Sequence, residues 1–269
     1  MTTMTKPAQR ATGAAAYSAE EWALRVDLAA CYRVFDYLGW TEMIFNHITM
    51  RVPGPEHHFL INPFGLHYSE VTASNLVKID LDGKIVGHSD YPVNPAGFVI
   101  HSAIHASVPD ALCIIHTHTT AGLAVASSKR GLVANNFYGA AIIDNVAYHD
   151  FEGPSVHDDE KPRLVKSLGN KRALILRNHG LLVHAPSIPE AFRYHYQLQR
   201  ACEVQLATAA IDEGIELSRT VIDSFRRSRM EEGKDLSMKS AVVPPDKRVR
   251  LLFDAMVRLV DKKDTSYKS

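Results

Sequence analysis

The 269-residue chain reads as an α/β protein with one αβα layered domain over residues 18 to 225. Three observations lead there. Strand-like and helix-like segments alternate irregularly along the chain. The stretch 111–118 is almost continuously apolar, the pattern of a strand buried on both faces. No linker-like break interrupts residues 18 to 225. Hydrophobic residues at 46% and charged residues at 22% are globular averages, so a chain of this length can bury a substantial core.

The elements follow in order. Ser18-Ala-Glu-Glu21 is a capping box, and Trp22, Val26, Ala29, Ala30 and Val34 recur at helical spacing until Gly39. Residues 49–52 and 58–61 are strand-like, separated by a Pro-Gly-Pro turn. Residues 77–81 and 84–86 flank Asp82-Gly83, the strongest hairpin signal in the chain. Pro95-Ala-Gly97 opens a helix to about Ser107, with Val99, Ile100, Ala103 and Ile104 as its apolar face. The buried strand 111–118 comes next, and Thr119-Thr120 can cap the short helix behind it.

Residues 161–168 look helical and stop at Gly169. Strands 173–176 and 181–183 flank Asn178-His179-Gly180. Ser187-Ile-Pro-Glu190 is a second capping box and starts the longest helix, to about Asp212. Residues 226–269 form a polar extension ending in an amphipathic helix, about 246–260, with Leu251, Leu252, Met256 and Leu259 on one side. Residues 1–17 lack an apolar core segment and read as a disordered tail, not a signal peptide.

Composition excludes several functions. Thirty basic and thirty acidic residues cancel, and no dense basic block offers a footprint for nucleic acid. No run approaches the length of a membrane span. Cys31, Cys113 and Cys202 are odd in number and far apart, which leaves neither a disulfide framework nor a Cys-x-x-Cys zinc site. The expectation is a soluble cytoplasmic protein acting on a small molecule.

The chemistry lies in histidines. His116 and His118 are two residues apart on the buried strand, on one side of it and about 7 Å apart at Cα. With 14 histidines in the chain, one such pair is expected by chance. His179 changes that, because three imidazoles plus an open position compose a catalytic metal site.

With these motifs in view the chain resembles the class II aldolase/adducin family. The resemblance rests on Asn46-His-Ile-Thr49, Ile61-Asn-Pro-Phe-Gly65, His101, Pro109-Asp-Ala, His116-Thr-His118 and Asn178-His-Gly180, in that order over roughly residues 20 to 210. It implies a three-layer αβα sandwich around a central mixed, mainly antiparallel sheet. It also implies a homotetramer with sites near subunit interfaces, and one divalent ion per chain on His116, His118 and His179. Zinc is the first choice of ion, with manganese, ferrous iron and cobalt as alternatives. Asn46, Gly65 and Gly97 fall at substrate-binding positions.

Two departures set this chain apart. Sugar-phosphate aldolases of the family have Ser-Ser-Glu where this chain has Pro95-Ala-Gly97, and Phe64 replaces a phosphate-binding threonine. A phosphorylated sugar is therefore not expected, and the usual carboxylate base is missing. His101, four residues after Gly97 on one helical face, is the first candidate to fill that gap as donor, base or fourth ligand. His47 is the next candidate, and Tyr138 is a third, as proton donor to a product carbanion. Glu42, Glu70 and residues 158–160 read as solvated charges. The Tyr148-His-Asp-Phe-Glu152 stretch resembles the adducin-type branch and has no assigned role.

Three functional readings follow. The first is a divalent-metal-dependent lyase, retro-aldol or decarboxylase in type, on a small non-phosphorylated carboxylate or hydroxy-carbonyl compound. The second is a non-catalytic binding or scaffold module like the adducin head domain. The third is a ferrous-iron-dependent oxygenase.

Overall fold

A computed structural model of the chain describes residues 13–153, 158–231 and 244–269. A seven-stranded mixed sheet runs through its centre in the order β3-β2-β1-β4-β7-β6-β5. The strands are β1 (His47–Arg51), β2 (Phe59–Ile61), β3 (Val77–Ile79), β4 (Cys113–Thr117), β5 (Val146–His149), β6 (Ala173–Leu176) and β7 (Gly180–Ala185). Every neighbouring pair is antiparallel except β5 with β6. The αβα sandwich around a mainly antiparallel sheet stands as expected.

Alternation along the strands builds the two cores. On β1, Ile48 and Met50 face one side, while His47 and Thr49 face the other; on β4, Cys113 and Ile115 oppose Ile114 and His116 in the same way. The larger core lies under α1 (Ala19–Tyr37), α3 (Thr120–Ala126), α6 (Ile188–Ala209) and α8 (Pro245–Asp261). The smaller lies under α2 (Pro95–Ser107) and α5 (Lys161–Leu168), where Ile100, Ile104, Leu164 and Leu168 meet Ile114, Leu174 and Leu182. Two further helices are α4 (Phe137–Ile142) and α7 (Arg219–Glu231).

The N-cap half of each capping signal forms, without the reciprocal bond from the glutamate side chain. The Ser18 hydroxyl accepts from the amide of Glu21, Thr119 from Gly122 and Ser187 from Glu190. Gly39 follows α1 at φ +71°, a conformation costly for other residues.

The structure corrects several expectations. The hairpin at Asp82-Gly83 closes as a turn, and its second arm makes only an isolated bridge, Ile79 to Ile85. α4 and β5 are additions that the pattern did not suggest, and α7 runs across residue 225 without a break. The terminal helix forms, but with a rotated face: Phe253 and Val260 are buried, Met256 and Val257 half-buried, and Leu251, Leu252 and Leu259 exposed. Positions 253, 256/257 and 260 make the stripe that meets α1 and α6, and the Phe253 ring lies 5.7 Å from that of Phe192.

At the N-terminus, residues 1–12 of the expected tail lie outside the described residues. Tyr17 is ordered against Trp22 and under the Arg25 guanidinium. In the polar extension, 232–243 likewise lies outside them. Among the described residues no helix is long and apolar enough to cross a membrane.

Candidate metal centre

The three predicted histidines meet at the end of β4. His116 is the penultimate residue of β4, and His118 follows it just before the Thr119 cap of α3. His179 comes from the tight β6–β7 turn, where Asn178 takes φ +56°. Gly180 brings that turn against β4: a Cβ there would stand 2.4 Å from the Thr117 carbonyl oxygen. Any side chain at 180 would push His179 away from the other two.

The imidazole Nε2 atoms converge. That of His116 lies 2.7 Å from His118 Nε2 and 3.3 Å from His179 Nε2. Among the described residues these three form a group whose ligand atoms all lie within 4.8 Å of one another. The opposite ring nitrogens explain why the Nε2 atoms are free. His116 donates from Nδ1 to the Leu181 carbonyl at 2.9 Å, and His118 donates from Nδ1 to the Glu42 carboxylate at 2.5 Å. Both rings therefore turn Nε2 inward, the arrangement of metal-bound histidines whose outer nitrogen rests on a carbonyl or carboxylate.

Burial holds the His116 imidazole well below its ordinary range and pushes His179 down to about 4, so both are neutral donors at physiological pH. Three imidazole nitrogens this close leave room at their centre for one small cation. The donor set thus fits a divalent ion with an open position.

A cavity of about 410 Å³ opens over the three histidines. Phe45, Phe64 and Phe151 supply its apolar walls, and Glu42, His47 and Asn94 its other polar groups. Among the described residues no lysine or arginine lines it.

The remaining predicted residues fall in different places. His47 reaches the cavity, paired across the ladder with His116 and with ring centroids 5.0 Å apart. His101 does not reach it. Fully buried on α2, it stands behind His47, with its Nε2 3.0 Å from His47 Nδ1. Of the two, only His47 lines the cavity, because the strand histidine lies between the helix and the cavity.

Gly97 explains the gap. A Cβ there would lie 2.6 to 2.9 Å from the His47 ring, so that ring fills the space a side chain at 97 would need. Asn46 is buried, and its side chain accepts from the His118 amide at 3.0 Å and donates to the Trp40 carbonyl. It holds the backbone of a candidate ligand and is not among the residues lining the cavity. Gly65, at φ +103°, shapes the loop that presents Phe64. Tyr138 packs against Phe137 and Tyr196 and is not part of the cavity within one chain.

Glu42, read from the sequence as a solvated charge, also contacts the His118 ring and lines the cavity. It sits in a polar loop, where a carboxylate carries no spacing signature. Phe151 also went unassigned, although its adducin-like stretch was visible; its ring lies 6.2 Å from that of His179.

Comparison with known proteins bears on the same residues. The sequence profile of the class II aldolase and adducin N-terminal domain matches residues 26–206. A provisionally named aldolase class 2 protein of Pseudomonas aeruginosa is 41% identical, covering 93% of this chain and 94% of that protein. Alpha-adducin of Rattus norvegicus is 44% identical over 94% of this chain, which spans only 35% of the adducin. A solved aldolase II superfamily protein from Pseudomonas syringae superposes with a TM-score of 0.87 at 38% identity, over 96% of this chain and all of that one.

Proposed function

This chain belongs to the class II aldolase and adducin family, and from that premise we propose that it is a divalent-metal-dependent lyase acting on a small, non-phosphorylated substrate. One observation carries the reading: three imidazole Nε2 lone pairs converge under an open cavity, two of them oriented by a carbonyl and a carboxylate. A divalent ion held by His116, His118 and His179 supplies Lewis-acid polarisation of a substrate oxygen. Glu42 fixes the His118 ring and strengthens it as a donor. His47 offers the nearest further group to the reacting centre. Phe45, Phe64 and Phe151 hold the apolar part of the substrate and exclude water.

Among the described residues no cationic side chain lines the cavity, which leaves a phosphate without the Arg or Lys partner it requires. A β-hydroxy carbonyl compound or a hydroxylated carboxylate fits better, cleaved by retro-aldol chemistry or decarboxylation. Assembly as a homotetramer in the cytoplasm is part of this proposal. Supporting it are exposed Phe45 and Phe151 beside the cavity, the exposed leucines of α8 and three buried free cysteines.

A panel of such compounds, phosphorylated and not, tests the reading by NMR detection of aldehyde or carbon dioxide release. At least one non-phosphorylated member is cleaved, chelation stops the cleavage, and added ion restores it. No cleavage by the ion-loaded protein counts against it.

Similarity to alpha-adducin favours a second reading, a binding module. Under it His118→Ala changes stability alone, with no loss of ion binding or turnover.

A further inference from the structure

Behind His47 runs a chain of hydrogen bonds that ends at a backbone carbonyl. His105 Nδ1 lies 2.7 Å from the Ala111 carbonyl oxygen, and His105 Nε2 lies 2.7 Å from the Thr49 hydroxyl. The same hydroxyl lies 2.7 Å from His101 Nδ1, and His101 Nε2 lies 3.0 Å from His47 Nδ1. All four side chains are buried.

With all three rings neutral, only one arrangement of protons satisfies this chain. A carbonyl oxygen can only accept, so His105 carries its proton on Nδ1. Burial keeps His105 neutral, pushing it down to about 3, and its Nε2 is therefore bare. Thr49 spends its single hydroxyl proton on that nitrogen and can only accept from His101, which must be protonated at Nδ1. His101, held neutral by burial as well, is then bare at Nε2 and accepts from His47 Nδ1–H. His47 is left with its lone pair on Nε2, the nitrogen away from the chain.

We infer that the Ala111–His105–Thr49–His101–His47 chain is a tautomer lock that presents a bare Nε2 of His47 to the cavity as the acceptor for a substrate hydroxyl proton. His105, Thr49 and His101 are positioning residues. Gly97 belongs to the same device, because any Cβ there displaces the His47 ring. The lock selects substrates with a hydroxyl donor at that point, which narrows the class to β-hydroxy carbonyl compounds. In the cleavage step the hydroxyl O–H bond breaks and its proton passes to His47 Nε2. The freed oxygen pair becomes the C=O of the departing aldehyde. The C–C bonding pair stays on the carbon next to the other carbonyl, which later takes the proton and returns His47 to neutral.

The lock stands on the hydrogen-bond geometry of buried, neutral rings, while its use in cleavage rests on the lyase reading. Neutron diffraction from deuterium-exchanged, metal-free protein separates the two. The wild type shows deuterium on Nδ1 of His47, His101 and His105 and none on Nε2 of His47. Thr49→Val breaks the chain, and the His47 deuteron moves to Nε2 or divides between the two nitrogens; Thr49→Ser keeps the wild-type pattern. Deuterium on Nε2 of wild-type His47, or an unchanged tautomer in Thr49→Val, overturns the inference. In ion-loaded protein, kcat of Thr49→Val falls roughly 10- to 100-fold at unchanged ion stoichiometry, within the range a positioned base supplies. Rescue by Thr49→Ser excludes a merely structural effect.

Discussion

Glu42 and Asn46 hold His118 from two sides, one at the ring and one at the backbone amide. A carboxylate on the outer nitrogen raises the basicity of the inner one, and removing such a partner typically costs 10- to 100-fold in metal affinity. Glu42→Gln should therefore weaken zinc binding by about that factor, read by calorimetry, with little change in unfolding midpoint because the carboxylate is half exposed. Gly97→Ala probes the other side of the cavity. Its new Cβ overlaps the His47 ring, an overpacking that costs about 1–3 kcal/mol in denaturant unfolding. The ion stays bound, since no ligand moves, whereas loss of ion in Gly97→Ala would mean that His47 is itself a ligand.

These residues differ in how legible they were. Ligation demands specific side chains, so His116, His118 and His179 stood out, and the missing carboxylate at Gly97 was equally visible. Which of His47 and His101 fills the gap depends on which element lies nearer the cavity, and no spacing rule states that.

Where a single periodicity sufficed, helices and strands matched their expected spans: α1, α2, α5 and α6, together with β4 and β6, formed within a few residues of expectation. The departures have physical causes. The second arm of the expected hairpin has Ile85 exposed and no neighbour to extend the sheet, so only a bridge survives. β5 is half-buried on an edge, and α4 is six residues long, too short for periodicity to register. The α8 stripe was misplaced because leucines at 251, 252 and 259 outweigh one phenylalanine by composition, while packing decides by which side meets α1 and α6. Phe253→Ala should accordingly cost about 3–5 kcal/mol, the range for a buried phenylalanine. Leu252→Ala should lie near zero in the isolated chain. Unfolding in urea distinguishes them, and equal effects would refute the assigned face.

Across the molecule, the neutral buried histidines make stability a function of pH. Burial pushes His105 and His195 down to about 3, against about 6.5 in an unfolded chain. Between those values the unfolded state binds protons that the folded state refuses. Stability is therefore full above pH 6.5 and falls as the pH drops towards 3, by up to about 1.4 kcal/mol per pH unit for each such histidine. Urea midpoints at pH 9, 8 and 5 should be level between the first two and clearly lower at the third. A midpoint unchanged at pH 5 would contradict the buried neutral rings.

The layered fold itself followed from apolar alternation, and family membership adds the expectation of a metal. What made the site more than a family resemblance is the convergence of three Nε2 atoms, two of them on rings whose outer nitrogens are already engaged. The most direct test is elemental analysis of protein stripped of metal, then equilibrated with zinc and desalted. The account predicts one ion per chain in the wild type and none retained by His118→Ala. No stoichiometric ion with all three histidines intact would contradict it.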